Sequence, residues 1–324
     1  MIVIGRKDVA RHLDPAACIG LMRDAMIALS TGNSRQLLRQ IVDLEGGNAF
    51  GVMPGALDGA TFGAKLVSVY PARAALGEQT HQGIIVLHDP ASGTPVALVH
   101  AGEVTAIRTA AASAAATDAL ARPDARRLAI LGYGEQAWHH AAALPHVRAL
   151  SHIAVWGRSR AKAEAFAARI RADLGIAATA VETAGGAVAD ADIICTATAA
   201  ADPILFSADV PDGAHINLVG SSRAGPAEVD GALVARGRLF ADHRAGALAQ
   251  GAEILRALQA GLIDESHVLG EIGEVMAGTL PGRIAAADVT LYKSLGSIVQ
   301  DLAAGWHLYR LARERGFGTD AAFD

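Results

Sequence analysis

Apolar residues follow two alternating patterns in the second half of the chain. Short continuous apolar runs are separated by longer segments in which apolar residues recur at helical spacing. Continuous apolar runs are typical of parallel strands covered on both faces, and parallel strands need a crossover helix between them. The pattern predicts a doubly wound parallel sheet, the Rossmann arrangement, in an α/β protein. The predicted strands are 128–131, 152–156, 176–181, 192–196, 215–219 and 238–241, and the predicted helices are 135–144, 161–174 and 245–260.

The first part of the chain has a different pattern. A helix is predicted near residues 15–31, and strand-like runs separated by glycine and proline turns follow it. A last helix, 297–315, comes after the parallel sheet and has an apolar face, so we expect it to pack on this first, α+β domain. The predicted domains are therefore a discontinuous one, 1–118 with 297–324, and a Rossmann domain, 119–296. The strand-like runs are 37–44, 49–53, 61–69, 83–88 and 95–99.

A glycine-rich turn follows the first strand of the predicted parallel sheet. It has the pattern Gly-x-Gly-x-x-Ala, in which Gly132 permits the tight turn and Gly134 lets the backbone approach a phosphate. The small Ala137 allows the next helix to pack closely, with its first amide groups facing the anion. The turn, which includes Glu135 and Gln136, predicts binding of NAD(H) or NADP(H).

The end of the second strand indicates which of the two cofactors is preferred. An acidic residue that would hold the ribose 2′-hydroxyl of NAD is replaced here by Gly157. Arg158, Ser159 and Arg160 follow it, and guanidinium groups bind a 2′-phosphate well. We therefore predict NADP(H) as the preferred cofactor, with NAD(H) as a second possibility. The alternative is a basic, solvated first turn of a helix.

Ligands of such sheets lie beyond the carboxyl ends of the strands. We therefore expect Thr196, Ala197 and Thr198, together with the loop 220–230, to border the nicotinamide. Asp230 ends that loop, and it is either the N-cap of the following helix or a carboxylate directed at the active site.

Three cations in the first domain are candidates for binding an anion. Lys65 is one of only four lysines and lies in an apolar strand, where it needs an anionic or hydrogen-bonding partner unless that face is exposed. Arg108 is the only long cationic side chain in an alanine-rich helix and can donate a fork of hydrogen bonds to a carboxylate. Arg39 lies on a strand-like run and is either a third such cation or solvated.

Composition excludes several classes of function. The 324 residues carry a net charge of −5, which argues against nucleic acid as a partner. Cys18 and Cys195 form no disulfide framework, the N-terminal apolar run is too short for a signal peptide, and no apolar stretch reaches membrane-spanning length. A cytoplasmic protein without membrane contact is expected. The scattered histidines, including the adjacent His139 and His140, predict no metal site.

Several segments together resemble the ornithine cyclodeaminase and mu-crystallin family. The resemblance covers nearly the whole chain. The segments are GAKLV (63–67), QGIIVLHDP (82–90), TAIRTAAASA (105–114), GYGEQA (132–137), HINLVG (215–220), EVD (228–230) and KSLG (293–296).

The resemblance implies a homodimer in which the discontinuous domain binds substrate and forms the dimer contact. It implies chemistry at the Cα of an amino acid or its imine. Lys65 and Arg108 match positions that hold the substrate carboxylate, and Arg39 matches a third. Asp230 matches an acidic residue beside the reacting nitrogen. Further residues are assigned to the specificity pocket (Met53) and to the cofactor (Ser294 and Gly296).

Within this family the predicted reaction is NAD(P)H-dependent reduction of a C=N bond in an α-imino acid. Members that cyclise ornithine tend to carry Gly-Gly-Asp and Pro-Gly-Lys-Thr-Glu after the fifth strand, whereas this chain has GSSRAGPAEVD at 220–230. Arg223 is then an additional cation for an anionic substrate, or a solvated residue. The alternatives are an ornithine cyclodeaminase, an amino-acid dehydrogenase of the alanine type, or a non-catalytic binding protein of mu-crystallin type.

Overall fold

The computed structural model describes residues 1–76, 80–221 and 223–322. The helices are α1 Arg6–His12, α2 Pro15–Ser30, α3 Ala101–Leu120, α4 Glu135–Ala143, α5 Arg160–Leu174, α6 Ala184–Val188, α7 Gly231–Arg236, α8 Arg244–Gln250, α9 Ala252–Gln259, α10 Ile272–Met276 and α11 Ile298–Arg315. The strands are β1 Ile2–Ile4, β2 Ser34–Gln36, β3 Gln40–Asp43, β4 Ala49–Leu57, β5 Thr61–Val69, β6 His81–His88, β7 Pro95–His100, β8 Arg127–Leu131, β9 His152–Trp156, β10 Ala177–Ala180, β11 Ile193–Thr196, β12 His215–Leu218, β13 Arg238–Ala241, β14 Val268–Glu271, β15 Thr290–Lys293 and β16 Thr319–Asp320.

The chain forms two compact units. Unit 1 comprises Met1–Arg108 and Ser297–Asp324, and unit 2 comprises Thr109–Gly296. The first boundary falls within α3, ten residues before the predicted position, because this helix continues without a break across it. Its alanines are buried on both sides of the boundary, so neither a loop nor a change in composition marks it.

Unit 1 is built on a mostly antiparallel sheet with the order β16-β1-β7-β6-β5-β4-β2, and β3 also pairs with β4. Helix α11 packs against α2 and against β4 and β5. The predicted strand 37–44 contains β3 and extends beyond it at both ends, and the prediction missed β2, which precedes it as a separate strand. Strands β2 and β3 pair with different parts of β4, and Met53 and Pro54 lie between the two pairings. A proline is tolerated there because neither β2 nor β3 pairs with β4 at residue 54.

Unit 2 contains an eight-stranded sheet with the order β10-β9-β8-β11-β12-β15-β13-β14, in which every pair is parallel. The predicted doubly wound parallel sheet is confirmed. Two strands were missed, β14 and β15. Strand β15 begins and ends with the fully buried polar residues Thr290 and Lys293, so its sequence lacks the continuous apolar run that identified the other strands. The single helix predicted at 245–260 is wrong, since Gly251 separates α8 from α9 with a non-helical backbone.

Candidate active site

Two cations and one acid form a buried cluster in unit 1. Lys65 and Arg108 are each only 4% exposed, and Asp301 on α11 is fully buried. The Lys65 Nζ lies 3.2 Å from Asp301 Oδ2, and Arg108 Nε donates to Asp301 Oδ1 at 3.0 Å. Lys65 Nζ also donates to Thr105 Oγ1 at 2.6 Å. Strand β5, α3 and α11 thus each contribute to one network of charged hydrogen bonds, which we call the cation cluster: Lys65, Arg108 and Asp301.

Burial and charge act on the protonation of this cluster in opposite senses. Burial would raise the pKa of Asp301, but Arg108 and Lys65 outweigh it and hold that pKa below its ordinary value. Burial lowers the pKa of Lys65 to about 8, against the opposing effect of Asp301. With two cations and one carboxylate, the cluster carries one net positive charge while Lys65 is protonated. It therefore suits a small organic anion.

The other candidates of unit 1 lie around this cluster. Met53 is buried and directly opposite Lys65 in the β4–β5 register. Arg39 is half-buried, and its charge lowers the pKa of Lys65, which places it close to the ammonium group. The structure thus brings together the predicted residues Lys65, Arg108, Arg39 and Met53. Sequence reasoning missed Asp301, although an acid amid the apolar residues of α11 is a signal that could have found it.

The glycine turn of unit 2 has the geometry that a dinucleotide phosphate requires. Gly132 has φ +129°, where a side chain is strained, and a Cβ there would also collide with the Ala197 carbonyl. Gly134 is the N-cap of α4 and offers no side chain to its first amide groups. A Cβ on Gly134 would meet no protein atom within 4 Å, so that space is open. Ala137 is fully buried. The turn therefore fits a pyrophosphate held by backbone N–H groups, with Glu135 and Gln136 in the same first turn.

The basic segment after β9 divides into residues with different partners. Ser159 caps α5 by accepting from the Lys162 amide, and Arg160 pairs with Glu164 at 2.7 Å and with Glu182 at 3.7 Å. Arg158 is exposed, and the described part of the chain contains no ion pair to it. Arg158 is therefore the cation of this segment that is available to an added phosphate.

Four neighbouring strands of unit 2 end side by side. Leu131, Thr196, Leu218 and Lys293 are in register across β8, β11, β12 and β15. The loops that follow them therefore meet at one edge of the sheet, where ligands of such folds bind. These loops contain the predicted residues Ala197, Thr198, Ser294 and Gly296.

Buried carboxylates fix these loops, and sequence reasoning missed them. Glu228 accepts from the Thr198 amide at 2.6 Å and from the Gly220 amide at 2.8 Å. Asp242 accepts from the amides of Leu295 and Gly296.

A buried ion pair lies beside them. The Lys293 Nζ is 2.7 Å from Glu253 Oε2 and donates to the Ser221 carbonyl at 2.5 Å, and both charged residues are fully buried. The rarity of lysine in this chain was a signal for Lys293. Ser294 Oγ is buried without a hydrogen-bond partner among the described residues. A polar ligand at this edge would satisfy it.

Asp230 is the N-cap of α7. Its Oδ1 accepts from the Leu233 and Ser207 amides, each at 3.0 Å. The structure therefore shows the cap, one of the two interpretations of this residue, while its catalytic role stays a prediction. Arg223 is exposed, and Ser222 beside it lies outside the described residues.

Across residues 1–76, 80–221 and 223–322, no group of three or more His, Cys, Asp or Glu side chains is arranged to hold a metal ion. No helix in the same ranges is both long and apolar enough to cross a membrane.

A parallel sheet with this glycine turn and a separate buried cation cluster define a dinucleotide-binding protein with a site for a small organic anion. Comparison with known proteins gives the family. The profile of the ornithine cyclodeaminase/mu-crystallin family matches residues 2–316, and the chain belongs to that family.

Similar proteins of this family carry names that describe imine reduction. A Delta(1)-pyrroline-2-carboxylate reductase of Bacillus cereus is 35% identical over 84% of this chain and 84% of its own. The ketimine reductase mu-crystallin of Mus musculus is 35% identical over 86% of this chain and 85% of its own. Among solved structures, the Thermococcus litoralis Delta(1)-pyrroline-2-carboxylate reductase, in complex with NADH and L-proline, has a TM-score of 0.96. It is 32% identical and covers 99% of this chain and 100% of its own.

Proposed function

We propose that this protein is an oxidoreductase that reduces the C=N bond of an α-imino acid, with a hydride passing from the nicotinamide of NAD(P)H to the substrate Cα. The observation that carries the proposal is the cation cluster, which offers a buried positive site for a carboxylate in a chain that also has a dinucleotide turn. The names of the relatives favour a cyclic ketimine such as Δ1-pyrroline-2-carboxylate or its six-membered homologue.

Lys65 and Arg108 bind the substrate carboxylate, and Arg39 is a third cation toward it. A carboxylate held by two fixed cations cannot rotate freely, so the C=N face keeps one orientation, which lowers the entropic part of the barrier. Lys65 also acts in catalysis. Its positive charge beside the carboxylate stabilises the substrate as it gains electron density from the hydride. Met53, opposite Lys65, shapes the pocket for the substrate ring, and Arg223 is available to a second anionic group.

Asp230 is proposed as the group that stabilises the protonated imine or exchanges its proton. A protonated imine accepts a hydride more readily than a neutral one. The two capping bonds use Oδ1, which leaves Oδ2 for this role.

Asp230→Asn separates the two roles, because an asparagine still caps a helix but carries no charge. We expect kcat to fall about 100-fold, a typical contribution of a general acid or base, with an unchanged melting temperature. Wild-type kcat in this variant would leave Asp230 as a cap alone.

The cofactor is proposed to be NADP(H), with NAD(H) as the alternative that the NADH-bound relative illustrates. Bound nicotinamide supplies the hydride. Its pyrophosphate would be held by the turn of Gly132 and Gly134, its 2′-phosphate by Arg158, and its nicotinamide end by Thr196, Ala197, Thr198, Ser294 and Gly296.

We also propose a homodimer formed through unit 1. Five apolar residues on and around β3 are exposed in the single chain, by 39% to 63%, which is typical of surfaces that pair with a second protein. They are Leu37, Leu38, Ile41, Val42 and Leu44. The two free, buried cysteines suit a cytoplasmic location.

The test is nicotinamide absorbance on the purified protein. NADPH and NADH are each offered with Δ1-pyrroline-2-carboxylate and Δ1-piperideine-2-carboxylate, and ornithine with NAD⁺ is the opposing assay. We expect NADPH consumption with a cyclic imine. Lys65→Met should abolish it, whereas the same change at exposed Lys162 should not. Release of ammonia and proline from ornithine, without net change in the cofactor, would instead make the protein a cyclodeaminase. Binding of NADPH without its consumption by any imine would indicate a binding protein.

A further inference from the structure

We propose that Asp301 is a positioning residue for the substrate-carboxylate site, where its buried carboxylate fixes the orientation of Arg108 and keeps Lys65 charged. The inference rests on the proposed function, since it assigns the control of that same site. The contacts that carry it are hydrogen bonds from Lys65 on β5 and from Arg108 on α3 to this fully buried acid on α11.

The orientation of Arg108 is fixed by two adjacent residues of α11. Its Nε donates to Asp301 Oδ1 at 3.0 Å, and its Nη1 donates to Gln300 Oε1 at 2.9 Å. Two bonds from different nitrogens hold the plane of a guanidinium group. The Nη2 group donates to no described residue, so it is the part of Arg108 left for a ligand.

Lys65 is held in a similar way. Its Nζ donates to Thr105 Oγ1 at 2.6 Å and to both carboxylate oxygens of Asp301, Oδ1 at 3.3 Å and Oδ2 at 3.2 Å. The two Asp301 oxygens are almost equally distant and can share one of the three ammonium hydrogens, which leaves one hydrogen for a ligand. The two fixed cations therefore each have a donor left over, and a substrate carboxylate has two oxygens to receive them.

The charge of Lys65 depends on Asp301 because the other charged groups near it are cations or neutral. Arg108 on α3 and Arg39 before β3 both lower the pKa of Lys65, while Asp301 on α11 raises it. His81 on β6 also faces this region, and burial, followed by the charges of Lys65 and Arg39, lowers its pKa. Met53, on β4, is apolar. Among the described residues, Asp301 is therefore the acid that opposes deprotonation of Lys65.

The scarcity of lysine gives a direct measurement. The chain has four lysines, Lys7, Lys65, Lys162 and Lys293, so protein labelled with ¹³Cε-lysine should give four signals. The Lys65 signal is assigned by its loss in Lys65→Arg. In the wild type we expect it to titrate near pH 8. In Asp301→Asn, which keeps the shape and loses the charge, we expect titration at least about one pH unit lower, a tenfold change in the protonation equilibrium.

Gln300→Ala is the matched control. It removes the other hydrogen bond that holds Arg108 on α11 and changes no charge. It should lower kcat/KM for Δ1-pyrroline-2-carboxylate and leave the titration of Lys65 unmoved. Asp301→Asn should lower kcat/KM and also move the alkaline limb of its pH profile to lower pH. NADPH affinity should be unchanged in both variants.

Asp301→Glu provides a second test in case the asparagine variant does not fold. It keeps the charge but displaces the carboxylate by one methylene, so Lys65 should titrate near its wild-type pH while kcat/KM falls at least about tenfold. Equal titration of Lys65 in the wild type and Asp301→Asn would overturn the proposal, as would wild-type kcat/KM in Asp301→Glu. A shifted Lys65 titration in a protein that reduces no imine would refute the proposed function but support the role of Asp301 in the charge of Lys65.

Discussion

The glycine turn of unit 2 and the cation cluster of unit 1 are built from opposite kinds of hydrogen-bond donors, and each is proposed to bind an anion. The turn uses backbone amides from residues adjacent in the sequence, and its central Gly134 is exposed. The cluster uses buried side chains that are distant in the sequence. Lys65 and Asp301, for example, are 236 positions apart.

The difference has an energetic consequence. A substitution other than proline leaves the backbone N–H in place, so a new side chain can disturb the turn mainly by occupying the space of the phosphate. A buried charge that loses its partner is destabilising by about 3–5 kcal/mol, so the cluster joins binding to stability. Substitutions in the two regions should therefore separate cofactor affinity from substrate turnover.

Among the substitutions that compare the two regions, the largest effect is expected for Arg108→Ala. It removes a cation from the substrate and leaves Asp301 with Lys65 as its partner, so kcat/KM for the cyclic imine should fall about 1000-fold, or about 4 kcal/mol. The melting temperature should also fall, with NADPH affinity kept. Arg11→Ala, on the exposed face of α1, is the control. Turnover within tenfold of wild type would show that the cluster does not bind the substrate.

Gly134→Val tests the turn. Here we expect the reverse of the Arg108→Ala result, with cofactor affinity lost and stability kept. The new side chain meets no protein atom within 4 Å at Cβ, so stability should be kept, but it enters the space proposed for the pyrophosphate. We expect NADPH affinity by fluorescence titration to weaken about 100-fold, or about 2.7 kcal/mol. Gly20→Val, which also has open space at Cβ, is the matched control. Unchanged affinity would place the pyrophosphate elsewhere.

The pH dependence of the wild type should follow Lys65. Substrate binding needs the ammonium form, so kcat/KM should fall above pH about 8 and lose about tenfold per pH unit. The pKa of Lys65 is about 8 in the folded protein, and its ordinary value is 10.5. Between these two pH values the folded state binds fewer protons than the unfolded state, so this group makes the protein more stable as pH rises. The titration of Lys65 therefore does not favour unfolding in the window where activity is lost. Lys65→Arg should remove this limb, and a limb that persists would assign it to another group.

The smallest effect is expected in the basic segment of unit 2. Arg158→Ala should weaken NADPH binding about tenfold and leave NADH binding unchanged, because only NADPH carries the 2′-phosphate. Arg160→Ala should have less effect, since Arg160 is already paired with Glu164 and Glu182. Equal loss for both cofactors in Arg158→Ala would argue against NADP(H) preference.

Sequence patterns predicted the elements that depend on neighbouring residues. The parallel sheet of unit 2 was predicted because each strand is an apolar run followed by a helix, and six of its eight strands were placed. The two missed strands, β14 and β15, are stabilised by partners distant in sequence. Thr290, for example, is buried against His215. A polar residue satisfied by a distant partner is indistinguishable, in a linear pattern, from a polar residue in a loop.

The sequence by itself determined the glycine turn, the class of the sheet and the identity of Lys65 and Arg108 as cations with an unusual setting. These depend on backbone geometry and on periodicity, which act over a few residues. Only the tertiary structure decided that Asp301 meets both cations, that Arg160 is paired while no described residue forms an ion pair with Arg158, and that Asp230 caps a helix. Those outcomes depend on which side chains come together in space, and these residues can lie far apart along the chain. A buried charge without a partner costs free energy, so such residues are selected as pairs by the tertiary structure and not by their neighbours in sequence.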